Sequence, residues 1–204
     1  MNYGEELGYW YLRLNGFFPL RNFVIHRCKR KRIEYRSDLD IVAVRPPHVF
    51  EEIGGQLEDW DPYLKGKLDF TRYIGVLCEV KTGRFKKEDL FPEPYLRTGV
   101  ERLGLVPRTR VDEAVRALEK ESGFLGNGAR KRICKLLVSP DEHQEASYLN
   151  RSIGQVEDFI LNRVEKYADE KYASRMFFPS PMFQLLIAQV KRRRHDTSVG
   201  GMGG

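Results

Sequence analysis

Glu79 and Lys81 stand two residues apart at the end of the stretch Tyr73 to Thr82 (YIGVLCEVKT), and another acid, Asp40, directly precedes the apolar run Ile41 to Val44. Side chains alternate along a strand, so an extended Tyr73 to Thr82 puts Glu79 and Lys81 on one face and Val76, Cys78 and Val80 on the other. If residues 37–44 (SDLDIVAV) form its antiparallel neighbour, Asp40 comes beside Glu79, and two carboxylates converge with an amine. Unit charges about 4 Å apart repel by roughly 4 kcal/mol at an effective dielectric of about 20. A divalent cation removes that repulsion. Magnesium prefers oxygen ligands in a near-octahedral shell and keeps several waters, so Asp40, Glu79, the backbone carbonyl of Val80 and water suffice, with Mn2+ as a substitute. A cation held there acidifies a bound water and neutralises charge on a phosphodiester, while the Lys81 ammonium orients that water or stabilises developing charge. Arginine holds its proton too tightly to modulate the water's ionisation, which suits the position to lysine.

A bare Glu-x-Lys is a weak signal, and Asp169, Glu170 and Lys171 satisfy the same pattern inside a helical stretch. The difference is context: Glu79 and Lys81 end an apolar strand and are followed by Thr82 and Gly83. Asp38 falls on the face of Asp40 by the same alternation and is the alternative ligand. His26 and His48 have no partners at ligand spacing and read as surface or backbone-bonded residues.

The elements that must position these residues can be read from periodicity. Gly4 to Asn15 is a helix, with Leu7, Trp10, Tyr11 and Leu14 at helical spacing and Gly16 as its stop. Phe17 to Cys28 and Ser37 to Val44 are strands, the second with Leu39, Ile41 and Ala43 on one face and Asp38, Asp40 and Val42 on the other; the basic run between them is the hairpin connection. Pro46 and Pro47 end the second strand, and Val49 to Arg72 is an insertion of unassigned shape. Tyr73 to Thr82 is a central strand, covered on both faces over its apolar first half. Phe91 to Pro107 is a proline-punctuated segment, Thr109 to Glu121 an amphipathic helix, and Lys131 to Ser139 a strand made parallel to the third by the helical crossover. Two further helices follow, Ile153 to Met176 and Ser180 to Arg193.

Composition sets the class. A chain of 204 residues with 41% hydrophobic residues supports one core plus a helical extension, and no apolar stretch is long enough to span a bilayer. The expectation is a soluble, cytoplasmic protein without a membrane partner, in which Cys28, Cys78 and Cys134 are reduced and buried. Net charge is +6, with the basic residues gathered at Arg27 to Arg36 and at Lys191 to Arg194. Such clusters suit a polyanion, and Lys29, Arg30, Lys31 and Arg32, with Arg84, Lys86 and Lys87 just past the third strand, are the candidate nucleic-acid contacts. The terminal GGMGG is set aside as a tail.

Gly4 and Glu5, then Tyr11, Leu12, Gly16 and Phe17, followed by SDLDIVAV and CEVKTG, resemble the N-terminal half of PD-(D/E)XK nucleases, in particular archaeal Holliday-junction resolvases and small bacterial endonuclease-like proteins. Thr109 to Ser139 matches by element order alone, and the proline of the family name is absent before Asp38 and Asp40. The resemblance implies an α/β restriction endonuclease-like fold, an αβββαβ core with a mixed sheet flanked by helices, over residues 1–145. A C-terminal helical extension over 146–195 and a tail over 196–204 complete the chain. It also implies a Mg2+-dependent nuclease acting on DNA, with Asp40, Glu79 and Lys81 as its catalytic core. An acid of the first helix assists: Glu5, which shares a face with Gly8 and Leu12, with Glu6 as its rival. A homodimer is one arrangement by which a one-site nuclease cuts both strands. The contrasting reading is a nucleic-acid-binding or scaffolding module that retains the fold without turnover.

Overall fold

The computed structural model of the chain describes residues 2–29, 32–126, 130–167, 180–181, 184–190 and 192, with residues 22–29 and 32–38 described by their backbone alone. Asn2 starts the first helix, α1 (Tyr3–Leu14), through a capping box: its side chain accepts the Glu5 N–H at 2.9 Å and the Glu5 carboxylate accepts the Asn2 N–H at 3.3 Å. Gly16, at φ 80°, turns the chain out of α1 into an antiparallel hairpin of β1 (Phe18–Lys29) and β2 (Arg32–Arg45). The basic run is therefore not a loop. Lys29 pairs with Arg32, and both strands carry through the charged residues to the turn.

The stretch after Pro47 is folded onto the body. Asp61 caps α2 (Pro62–Lys67) by accepting the Tyr63 N–H at 2.8 Å, and Trp60, Leu64 and Leu68 are buried. Buried polar groups pin it in place. Tyr11 donates its hydroxyl to Asp61 at 2.6 Å, Arg151 pairs with Asp61 at 3.2 Å, and the Asp61 N–H reaches the Asn15 side chain at 2.7 Å. Arg45, fully enclosed, donates to the carbonyls of Asn15 and Phe70 at 3.0 Å each, and burial lowers its pKa to about 10.

Next come β3 (Tyr73–Val80), α3 (Glu93–Leu103), α4 (Val111–Lys120), β4 (Gly123–Leu125), β5 (Lys131–Ser139), β6 (Leu149–Ser152) and α5 (Ile153–Lys166). Sequence reading left the α3 region as a proline-punctuated segment. Pro92 and Pro94 lie at its start, where a missing N–H costs nothing, and Leu96, Gly99, Val100 and Leu103 form its buried stripe. Gly104 closes it at φ 62°. Residues 184–190 are helical, whereas the Asp169 to Lys171 triplet lies outside the described residues.

The sheet runs β1-β2-β3-β5-β4, with β6 also paired to β5. β3 and β5 are parallel, as the crossover predicts, and the chain is an α/β protein with a mixed sheet flanked by helices. One face packs Ile41, Ala43, Val76, Cys78 and Val80 against α1 and α5; the other packs Val42 and Leu77 against α3 and α4. Leu39 departs from strict alternation. It is buried with Val42 and Leu77 rather than with Ile41 and Ala43, and lies so near Gly99 that a Cβ there would be 2.8 Å from its Cδ1. The cause is local: β2 pairs with β3 only as far as Ile41↔Cys78.

Candidate functional site

β2 and β3 run in register from Arg45↔Ile74 to Ile41↔Cys78, and one more step would pair Asp40 with Glu79. That step is replaced by a side-chain contact. The Lys81 N–H points towards β5 and donates to the Val138 carbonyl at 2.8 Å, so alternation turns the Val80 N–H towards β2. There it donates to Asp40 Oδ2 at 2.7 Å. A residue's N–H and C=O lie on the same side of its strand, so the Val80 carbonyl faces the same gap. Asp40 thus fills the place where the two strands part.

Glu79 is 4% exposed, and its Oε2 accepts a hydrogen bond from Lys81 Nζ at 2.8 Å. Burial raises the Glu79 pKa, the Lys81 hydrogen bond and charge lower it, Asp40 raises it again, and the outcome is above the ordinary value. Burial lowers the Lys81 pKa, but the Glu79 hydrogen bond and the charges of Glu79, Asp40 and Asp89 outweigh it, and the outcome is again upward. The two directions are compatible. Glu79 is enclosed, so desolvation dominates; the Lys81 side chain keeps 31% of its surface, so its acidic neighbours dominate. Cys78, which precedes Glu79 on β3, is no nucleophile, because burial and then the Asp40 and Glu79 charges push its thiol pKa far up. Asp40, Glu79 and the Val80 carbonyl offer oxygens at this end of β3, hard donors of the kind magnesium takes.

Helix α1 approaches this end of β3 from the other face. A Cβ at Gly4 would lie 2.5 Å from Thr82 Cγ2, and one at Gly8 would lie 3.0 Å from Ile41 Cδ1 and 3.2 Å from Val80 Cγ2. The helix brings glycines to β3. Glu5 is not carried to the Asp40 and Glu79 pair, because its carboxylate is held by the Asn2 backbone and by the Asn2 amide at 2.7 Å. Glu6 accepts the Ser180 hydroxyl. Among the described residues no third acid, histidine or cysteine gathers with Asp40 and Glu79 into a ligand group.

Of the basic candidates, Lys29 and Arg32 are partners at the tip of the hairpin, while Arg30 and Lys31 lie outside the described residues. Arg84 and Lys86 are exposed just beyond β3, and Lys87 is ion-paired with Glu145. That pair belongs to a contact set that sequence reading missed. Phe85 meets His143 edge-on at 5.6 Å, and Phe91 lies 6.0 Å from Tyr148, so the chain after β3 is fastened to the chain after β5. Asp89, on the first of these segments, adds its charge to Lys81. Lys135 was also missed. It is 3% exposed, its ammonium stands 5.4 Å from the centre of the Phe91 ring, and burial lowers its pKa to about 8. Its signal was a lone charge within the apolar run ICKLLV.

No helix among the described residues is long and apolar enough to cross a membrane. No protein-family profile, curated protein or solved structure matches the chain.

Proposed function

We propose that the chain is a Mg2+-dependent nuclease of the restriction endonuclease-like fold that hydrolyses phosphodiester bonds in DNA. The carrying observation is the parting of β2 from β3 at Ile41↔Cys78, which sets Asp40 in the gap at Val80 beside the Glu79 and Lys81 pair. The order α1, β1, β2, β3, then helices and β5 parallel to β3, fits the αβββαβ core. Asp40, Glu79 and the Val80 carbonyl would hold the cation. When bound, the cation supplies Lewis-acid activation of water and neutralises phosphate charge. Lys81, with its pKa above the ordinary lysine value, stays an ammonium at neutral pH. It therefore acts as a donor that orients and stabilises negative oxygen, not as the base. The Glu79 oxygen that now accepts from Lys81 would be a ligand of the cation, and Lys81 would then be available to donate to substrate oxygen.

The test is cleavage of labelled DNA by the purified chain with Mg2+ or Mn2+. Asp40→Asn and Lys81→Ala should each abolish cleavage while leaving the circular dichroism spectrum and melting cooperativity intact. If both variants cut as fast as the parent, the assignment fails. The ion pair that occupies one Glu79 oxygen favours a second reading, a nucleic-acid-binding module without turnover. Calorimetry distinguishes the two: the nuclease takes up Mg2+ and loses that uptake on Asp40→Asn, whereas the module shows none.

A further inference from the structure

β2 has β3 as a neighbour only over Ile41 to Arg45, whereas its pairing with β1 continues to Lys29↔Arg32. Since β3 ends at Val80, the hairpin beyond Asp40 runs on past the catalytic end of the sheet as a two-stranded ribbon. Eight residue steps separate Asp40 from Arg32, a reach of about 26 Å at a rise of about 3.3 Å per residue. Between Asn22 and Asp38 the chain carries Arg27, Lys29, Arg30, Lys31, Arg32 and Arg36 against Glu34 and Asp38. Along the ribbon the pairs Arg27↔Glu34 and Lys29↔Arg32 alternate with His26↔Tyr35 and Cys28↔Ile33, so the charged register positions share one face. The register shifts between Val24 and His26, and such a bulge increases the right-handed twist that two-stranded ribbons already have.

We propose that this ribbon enters the major groove of B-form duplex DNA and seats the duplex on one side of the cut, an inference that rests on the nuclease reading above. Three arguments converge on that partner. The excess of positive charge suits a polyanion. The major groove of B-form DNA, about 12 Å wide, admits a two-stranded ribbon, whereas the minor groove is about half as wide. The major groove of A-form RNA is too narrow to admit protein groups, so the ribbon selects DNA over RNA. Its reach corresponds to about eight base pairs beyond the scissile phosphate at about 3.4 Å per base pair.

The experiment is fluorescence anisotropy of the full chain with a fluorescein-labelled DNA duplex of roughly two dozen base pairs, without Mg2+. Two further probes are the matching RNA duplex and the same DNA with glucosylated 5-hydroxymethylcytosine, whose sugar fills the major groove. Two variants accompany the parent. One combines Arg27→Gln, Lys29→Gln, Arg32→Gln and Arg36→Gln; the other replaces residues 25–37 by Asn-Gly, closing the hairpin at the Val24↔Asp38 pair with a type I′ turn. The parent should bind the plain DNA about tenfold more tightly than either other probe. The four-site variant should reduce the slope of log affinity against log salt by about 3.6, about 0.9 for each cation removed, and the shortened hairpin should lose the preference for plain DNA. The proposal is overturned if the four-site variant keeps the parent's slope and affinity, or if all three probes bind alike. It is equally overturned if shortening the hairpin dissolves a dimer in gel filtration while DNA affinity stays the same. Those failures would leave Mg2+-dependent cleavage, and its loss in Asp40→Asn, untouched; conversely, ribbon-dependent binding by a chain that never cuts would remove the nuclease reading alone.

Discussion

The carboxylate of Asp40 accepts the Val80 N–H at 2.7 Å, taking a donor that a continuing sheet would give to a β2 carbonyl. Asp40 is thus both a candidate ligand and a structural acceptor, and the two roles separate by substitution. Asp40→Ala leaves the Val80 N–H without its acceptor and should cost about 1–3 kcal/mol in urea unfolding, whereas Asp40→Asn, which can still accept through its amide oxygen, should cost less than half of that. Cleavage should be absent in both.

The buried Glu79 carboxyl titrates above its ordinary value of 4.5 because burial outweighs the help from Lys81. A carboxyl raised on folding binds more protons in the native state than in the unfolded chain, so its contribution to stability falls as pH climbs from 4.5 through the folded value. Glu79→Gln should therefore melt closer to, or above, the parent at neutral pH than it does at pH 4.5. Mg2+ should reverse the order by stabilising only the parent, by about 2.7 kcal/mol at a concentration about a hundredfold above its dissociation constant. Differential scanning fluorimetry across pH, with and without Mg2+, reads both effects.

Lys135 is a cost to the fold at neutral pH. Its folded pKa of about 8 lies below the ordinary 10.5, so the unfolded chain binds the extra proton between those values and the protein gains stability as pH rises from 8 to 10.5. Lys135→Met should stabilise by on the order of 2 kcal/mol below pH 8, after the lost contact with the Phe91 ring is set against the relieved burial of charge. The advantage should shrink towards pH 10.5. Guanidinium unfolding at pH 7 and at pH 10 would measure it; an equal advantage at both pH values would reject this account of Lys135.

Gly99 couples α3 to the site. A Cβ there would lie 2.6 Å from Leu77 Cδ2 and 2.8 Å from Leu39 Cδ1, and Leu39 immediately precedes Asp40. Gly99→Ala should cost about 1–3 kcal/mol by overpacking. It should also slow cleavage at temperatures where the variant is fully folded, because pressure on Leu39 is applied one residue from Asp40. A variant that loses stability but keeps the parent's kcat would show that the site is insulated from α3.

Much of this was legible in the residues themselves. Asp40, Glu79 and Lys81 were marked by apolar runs that read as strands, and α4 by a clear helical periodicity. The α3 stripe of Leu96, Val100 and Leu103 was present in the sequence too, but Pro92 and Pro94 punctuate the segment, and they are the N-cap and a first-turn residue of the helix. β6 had no signal of its own. Its four residues, LNRS, are extended because they pair with β5 and because the Asn150 side chain donates to the Leu137 carbonyl at 3.2 Å and accepts the His143 N–H at 2.5 Å. The contact of Lys87 with Glu145, far apart along the chain, and the influence of Asp89 on Lys81 are tertiary facts that no local pattern encodes. The engagement of Glu5 by Asn2 was within reach, since Asn followed three residues later by Glu is a capping signature that competes with any role for that acid in a metal site.

The stretch between Pro47 and Tyr73 leaves β2 after Arg45 and enters β3 at Tyr73, at the end of the β2–β3 ladder opposite to Asp40 and Glu79. The exposed Phe50 and Leu57, at 69% and 72%, belong to this segment, while Asp61 and Tyr63 reach Arg151 and Asn150 of β6 on the far side of β5 from β3. Chain added there joins the two strands without passing between Asp40 and the Val80 N–H that it accepts. A long connection between the two acids in sequence is thus compatible with an open path for a wide, rigid polymer in space.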